Sequence, residues 1–178
     1  MPSDEQLMRA LASGDDEALA ELLARYEHGL AAFIYRNTGG CDVEDVFQET
    51  WLRVVRSAAR FDTGRRFSTW LFQIAVNLCR DQFRKQGREG TQRSLAEPGR
   101  GRVGTDPHVD PRPELAIDAE RLLARLPAEQ REALILKYYH DMPETRIAEV
   151  LDCPRGTVKS RVHNALAKLA SLVEEDET

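Results

Sequence analysis

The apolar positions of this chain recur every three to four residues along most of its length and nowhere alternate one by one, so the elements they predict are helices. Ser3 stands where it would cap a short first helix that stacks Leu7, Met8 and Leu11 before Gly14 stops it. Asp15 or Asp16 opens a longer helix with Leu19, Leu22, Leu23, Tyr26, Leu30, Phe33 and Ile34 on one side, ended by Thr38, Gly39 and Gly40. A third runs from near Asp42 to Ala58, with Val43, Val46, Phe47, Thr50, Val54 and Val55 facing inward. A fourth, capped by Ser68, runs from Thr69 to near Gln86 over Leu71, Ile74, Ala75 and Leu78. The pattern then lapses. Residues 87–113 contain five Gly and four Pro without apolar periodicity and read as a linker, in which His108 is expected to be solvated. Fully extended, a linker of this length reaches roughly 90 Å.

Helix resumes over 114–125, turns at Leu126-Pro127, and continues from Ala128 to His140 with Ala133, Leu134, Ile135 and Tyr138 inward. Two shorter helices follow. Pro143 opens the first, with Ile147, Ala148 and Leu151 on one face; Asp152, Cys153 and Pro154 break it. The second starts near Pro154, and its Val158, Val162, Ala165, Leu166 and Leu169 form one apolar stripe. The closing EEDET reads as a frayed acidic end. The expected architecture is all-α: two small helical domains, residues 1–86 and 114–173, joined by a flexible linker over 87–113.

Composition narrows the function classes. A chain of 178 residues that is 42% hydrophobic can bury one ordinary core or two small ones. The N-terminal MPSDEQLMRA lacks the basic start and apolar middle of a secretory signal, and no apolar run approaches the roughly 20 residues of a membrane span, so a cytoplasmic protein is expected. Cys41, Cys79 and Cys153 are solitary, with no C-x-x-C pair and no histidine at metal-ligand spacing. They read as buried free thiols, and no metal or cofactor is expected. The net charge is −5, which does not suit a protein that binds DNA unaided, but its distribution does. Residues 1–50 hold eleven acids against three arginines, a balance of −8. Residues 60–88 hold seven bases against two acids, a balance of +5. Such asymmetry points to nucleic acid on one side and a protein partner on another.

Three stretches carry candidate chemistry. The polar side of the last helix shows Gly156, Thr157, Ser160, His163 and Asn164, with Arg155, Lys159, Arg161 and Lys168 as its cations. Small hydrogen-bonding residues flanked by cations suit base edges and phosphates in a major groove; a helical hairpin with a solvated polar face fits the same pattern. The FDTGRRFSTW stretch sets Arg65 and Arg66 among aromatics, and single-stranded nucleic acid, with bases to stack and phosphates to neutralise, needs such a set. Packing at a helix junction is expected to claim at least half of Phe61, Phe67, Trp70 and Phe72. The third helix presents Asp42, Glu44, Asp45, Gln48 and Glu49. A helix dipole accounts for the acids of the first turn and leaves Gln48 and Glu49 unexplained.

Taken together, DVEDVFQETWLRV, FDTGRRFSTWLFQIAVNLCRDQFRK, LPAEQREALILKYYHDMPETRIAEVL and GTVKSRVHNALAKL resemble the two domains of a bacterial RNA polymerase sigma factor of the extracytoplasmic-function type, over nearly the whole chain outside the linker and extreme termini. The resemblance implies a non-enzymatic subunit that binds core RNA polymerase, recognises −10 and −35 promoter elements and helps open the DNA, with an anti-sigma factor as a further partner. It assigns Asp42, Asp45, Gln48 and Glu49 to the polymerase. Arg65, Arg66, Phe67, Ser68, Thr69, Trp70, Asn77, Arg80 and Arg84 fall to the unpaired −10 strand, with Phe67 as a wall and Asn77 as an edge reader. Arg155, Gly156, Thr157, Lys159, Ser160, Arg161, His163, Asn164 and Lys168 fall to the −35 duplex. The sequence departs from the family pattern at Asp152, where glycine is usual, at His163 and Asn164, often basic, and at Ala170, often arginine; fewer phosphate contacts or a changed −35 preference would follow. A stand-alone helix-turn-helix regulator would account for 141–170 but leaves the first 86 residues without a role. A nucleic-acid enzyme would need a nucleophile among clustered partners, and the acids here mostly cap helices.

Overall fold

A computed structural model of the chain describes residues 1–88 and 113–176, with side chains described over 1–85 and 119–175. The described elements are all helical: α1 (Asp4–Ala12), α2 (Asp16–Thr38), α3 (Val43–Ser57), a 3-10 turn (Ala58–Arg60), α4 (Phe67–Arg88), α5 (Pro113–Ala124), α6 (Ala128–Tyr138), α7 (Glu144–Leu151) and α8 (Arg155–Asp176). The all-α class expected from periodicity is the one observed. Both ends of the expected linker, at residues 87–88 and 113, belong to helices, and the rest, His108 included, lies outside the described residues. The acidic end remains helical as far as Asp176, where a frayed tail was expected.

The first group packs α1 along α2 and onto the 3-10 turn, while α2, α3 and α4 pack mutually. Ser3 and Gln6 form a reciprocal capping box at α1, and Asp15 caps α2 through the Glu17 amide. Arg25 ties the two helices by bonding Asp4 at 2.7 Å and Glu21 at 3.0 Å, and the Tyr26 hydroxyl donates to Asp4. Leu22, Leu30, Phe33, Ile34, Val54, Phe67 and Leu71 are completely buried. On α3, Trp51 joins this core, whereas Val55, expected inside, is 43% exposed. The buried stripe centres on Val46, Thr50 and Val54, and Val55 stands about 100° round from Val54.

The start of α4 corrects another expectation. Ser68 lies inside the first turn; the Phe67 amide that opens the helix donates instead to the Glu5 carboxylate of α1, at 3.1 Å. Burial pushes the Glu5 carboxyl up, but hydrogen bonds from the Phe67 amide, its own amide and Ser3 outweigh it and hold the group below the ordinary range. No local pattern announces a cap from so distant a residue.

In the second group α6 and α7 pack on α8, with Ile147, Val150 and Leu151 facing Val158, Val162 and Ala165. Leu172 extends the buried stripe, while Leu166, expected within it, is 44% exposed. Every residue from Arg131 to Leu136 is buried, because α6 packs on α8 and on α2; Tyr138, expected inside, is 51% exposed. At the α7–α8 corner Asp152 adopts φ 50° and ψ 54°, so the turn that glycine favours is kept with one of the few other residues that tolerate it.

The two groups meet across a shared apolar core. α4 packs on α7, and α2 on α5 and α6. The His140 ring lies 5.8 Å from that of Phe33 and 4.8 Å from that of Phe72, and the Arg36 guanidinium lies 4.0 Å over the Tyr139 ring. Arg80 of α4 forks onto Glu132 of α6 with bonds of 3.0 and 2.7 Å; Glu132 is only 2% exposed. Beside them Cys79 is 1% exposed, and burial pushes its thiol up to about 12; Cys41 and Cys153 are only half-buried.

Phe67→Ala removes a completely buried ring and is expected to cost about 3–5 kcal/mol in denaturant titration. Glu5→Ala should cost about 1 kcal/mol through the lost cap. Because the Glu5 carboxyl titrates lower folded than unfolded, its contribution is full above the ordinary carboxylate range and is lost as pH falls through the folded value. Arg80→Ala removes the forked partner of the buried Glu132, with the Arg131 guanidinium the remaining charge acting on it, and should cost up to about 3–5 kcal/mol, whereas the pair Arg80→Met with Glu132→Leu should recover part of that loss. Equal stability of the single and double variants would remove the ion pair from this account.

Candidate nucleic-acid interfaces

Periodicity turns α3 into an acidic edge over a buried stripe. Glu44, Asp45 and Gln48 are exposed, Glu49 is half-buried, and Leu52, which the sequence reading passed over, lies among them 46% exposed. Gln48 donates to Glu44 at 3.2 Å and Arg53 to Glu49 at 3.0 Å. Asp42 takes a different place: it adopts φ 52° at the helix start and accepts a hydrogen bond from Gln82 of α4. A cleft of about 490 Å³ runs between the two helices over Val46 and Leu78, with Asp45, Glu49 and Arg53 on one wall and Asp81, Arg84 and Lys85 on the other. Arg84, expected at the −10 strand, is therefore beside the acidic edge, paired with Asp81 at 3.0 Å.

The loop before α4 is shaped by Asp62, whose carboxylate accepts the Gly64 amide at 2.9 Å and whose carbonyl accepts the Arg65 amide at 3.0 Å. This turn leaves Arg65 and Arg66 exposed. At 100° per residue, Trp70, Gln73, Asn77, Arg80 and Arg84 share one side of α4. Asn77 is exposed there, and Gln73, one turn earlier, accepts a 3.1 Å bond from Arg65. Gln73 was not among the expected site residues, although its i−4 spacing from Asn77 places it on the same side of the helix.

Phe67 is a correction. Its ring is completely buried against Tyr26, Trp51, Phe61 and Trp70, at centroid distances of 5.4 to 6.5 Å, so it offers no surface to a base. Thr69 is also buried, at 2% exposure, and Ser68 is half-buried. Packing claims Phe67 and Phe72 outright, while Phe61 and Trp70, with centroids 4.8 Å apart, stay half-buried. Arg80, expected to hold phosphates, is committed to Glu132, which raises its pKa further.

On α8 the expected face is turned outward. Gly156, Ser160, His163 and Asn164 are exposed and Thr157 is half-buried. A Cβ at Gly156 would meet nothing within 4 Å, so no internal contact demands glycine. Lys168 is exposed, but the other three cations are engaged within the domain. Arg161, with 17% of its side chain exposed, bonds Glu129 at 2.9 Å and the Cys153 sulfur at 3.6 Å. Arg155 and Lys159 lie 3.3 and 3.9 Å from Glu144, which Lys137 also bonds at 3.2 Å. Lys137 first, and Arg155 with it, holds the Glu144 carboxyl below its ordinary range. These acids escaped the sequence reading because their partners lie on other helices.

Among the described residues no cluster of His, Cys, Asp and Glu could hold a metal, and no helix is long and apolar enough to cross a membrane.

Comparison with known proteins joins these surfaces. Residues 22–89 match the Sigma-70 region 2 family, and residues 117–169 match Sigma-70 region 4. The chain is 31% identical over 181 aligned positions to the ECF RNA polymerase sigma-E factor of Haemophilus influenzae, covering 97% of this chain and 96% of that one. It is 31% identical over 168 positions to the sigma factor SigW of Bacillus subtilis, covering 88% and 89%. Among solved structures, CnrH in complex with the cytosolic domain of CnrY is similar at TM-score 0.74 and 28% identity, over 98% of this chain and 99% of that one. RpoE in complex with the anti-sigma factor NepR from Bartonella quintana is similar at TM-score 0.71 and 28% identity, over 87% and 96%. With region 2 spanning α2 to α4 and region 4 spanning α5 to α8, the chain belongs to the extracytoplasmic-function RNA polymerase sigma factors.

Proposed function

We propose that this sigma factor divides its work among three surfaces and acts by binding, without catalysis of its own, in the cytoplasm where the polymerase is. Residues 1–86 engage core RNA polymerase and the unpaired −10 strand, residues 114–173 read the −35 duplex, and 87–113 connects them. The acidic edge of α3, with Asp45, Gln48 and Glu49 around Leu52, docks on the polymerase; Asp42 supports that edge from behind through Gln82. On α4, Asn77 reads a base edge and half-buried Trp70 is the aromatic left for stacking, while Arg65 and Arg66 meet phosphates. Gly156, Thr157, Ser160, His163 and Asn164 of α8 face the −35 bases, with Arg155, Lys159, Arg161 and Lys168 toward phosphates. An anti-sigma factor is a further partner, a reading supported by the similarity to CnrH bound to CnrY and to RpoE bound to NepR.

The observation that carries this division is the outward placing of Asn77, Ser160 and Asn164 over buried stripes on two different helices. A stand-alone regulator needs the second of these helices only. Transcription by core polymerase plus this protein from a random promoter library tests it: a two-part motif should emerge, and transcripts no more abundant than with core alone would sink the reading.

Asn77→Ala should keep polymerase binding and −35 selection but lose discrimination among −10 bases on promoters carrying an artificial bubble. Intact base preference there would reduce Asn77 to a structural residue. On α8, replacing Ser160 or Asn164 should change which −35 sequences are used, by about 1–3 kcal/mol of discrimination per base pair. Lys159→Ala or Arg161→Ala should instead weaken all sequences together and lessen the salt dependence by about one unit of slope. Selection from a −35 library at two salt concentrations distinguishes the two behaviours.

A further inference from the structure

Glu144 opens α7, and three cations from two other helices converge on it: Lys137 of α6 at 3.2 Å, Arg155 at 3.3 Å and Lys159 at 3.9 Å, both of α8. A helix dipole explains an acid in a first turn. It does not explain why two side chains of the recognition helix bend toward that acid. Their side chains are each 60% exposed, so packing does not force them there, whereas the Glu144 side chain is only 20% exposed. By helical geometry Arg155 and Lys159 lie on one margin of the face that carries Gly156, Ser160 and His163, where a groove-bound helix meets a phosphate. In the free protein that margin already has an anion.

Building on the reading of α8 as the −35 helix, we infer that Glu144 restrains sequence-independent duplex binding by competing with DNA phosphates for Arg155 and Lys159. Exposed ion pairs are individually weak, so a phosphate can displace the carboxylate once base contacts hold the helix in register. A chance encounter with the wrong sequence gains less, because it must break the same pairs without that help. Lys137 offsets one charge of the cluster and keeps Glu144 anchored when the other two cations leave. The residue tunes binding through its neighbours and need not touch DNA.

The test is fluorescence anisotropy of the full chain on a random-sequence duplex of about thirty base pairs across a salt series, since phosphate contacts appear directly in the salt slope. Glu144→Gln should raise affinity for random duplex by about three- to tenfold at low salt and steepen the slope by about one. In an Arg155→Ala and Lys159→Ala background the same change should have little effect, because its targets are gone. Unchanged or weaker binding by Glu144→Gln, with helical content retained, overturns the inference. If Lys159→Ala and Arg161→Ala also leave duplex binding untouched, the assignment of α8 falls; if they weaken it while Glu144→Gln has no effect, only the role of Glu144 falls.

Discussion

Helix α4 has to bury two faces at once, and the rest of the molecule is arranged around that demand. One face, with Phe67, Leu71, Ala75 and Leu78, closes the core formed with α2 and α3; another, with Phe72 and Cys79, meets the second helical group. A helix covered on two sides keeps only a narrow strip for solvent, and Asn77 lies on that strip. Arg80 sits at its border and is drawn to Glu132. Two ions taken from water at such a boundary attract each other strongly, but the desolvation they incur means the pair specifies how the groups meet more than it stabilises them. Position on a rigid helix held from both sides keeps Asn77 in place better than a loop could.

An acidic protein that handles DNA must keep its charges apart, and this one does so by pairing and by segregation. Acids of α3 belong to a helix that packs on α2 and α4, whereas the cations of α8 belong to a helix that packs on α5, α6 and α7, so the two sets of charges are carried by different groups of helices. Within the second group, Glu129 and Glu144 engage Arg161, Arg155 and Lys159. Counting cations along α8 therefore overstates the charge that this helix leaves unpaired. Salt weakens such surface pairs.

Left-handed backbone at three aspartates, Asp42, Asp141 and Asp152, marks where helices must change direction sharply. Short polar side chains tolerate this conformation better than most. Asp152 in particular keeps the α7–α8 corner tight with its amide bonded to the Ala148 and Glu149 carbonyls, so departure from glycine changes the residue and leaves the turn. The orientation of α8 follows from that corner and from the stripe of Val158, Val162 and Ala165 beneath it.

Local periodicity was enough to read the helices, most of their buried faces and the outward set on α8, because a helix repeats every 3.6 residues whatever surrounds it. It failed wherever a residue answers to another part of the chain. Ser68 looked like a cap, yet Glu5 supplies the bond; Phe67 looked available to a base, yet rings from α2, α3, the loop before α4 and α4 itself enclose it. Val55, Tyr138 and Leu166 fell within reach of apolar stripes and lie outside them, since the width of a stripe is set by the neighbouring helix. The candidate residues of α8 were proposed from type and spacing, and those of α3 and α4 were assigned through the family resemblance. Which of them stay exposed, and which cations are already held by Glu132, Glu129 and Glu144, only the tertiary structure decided, because burial and pairing are properties of the assembled helices.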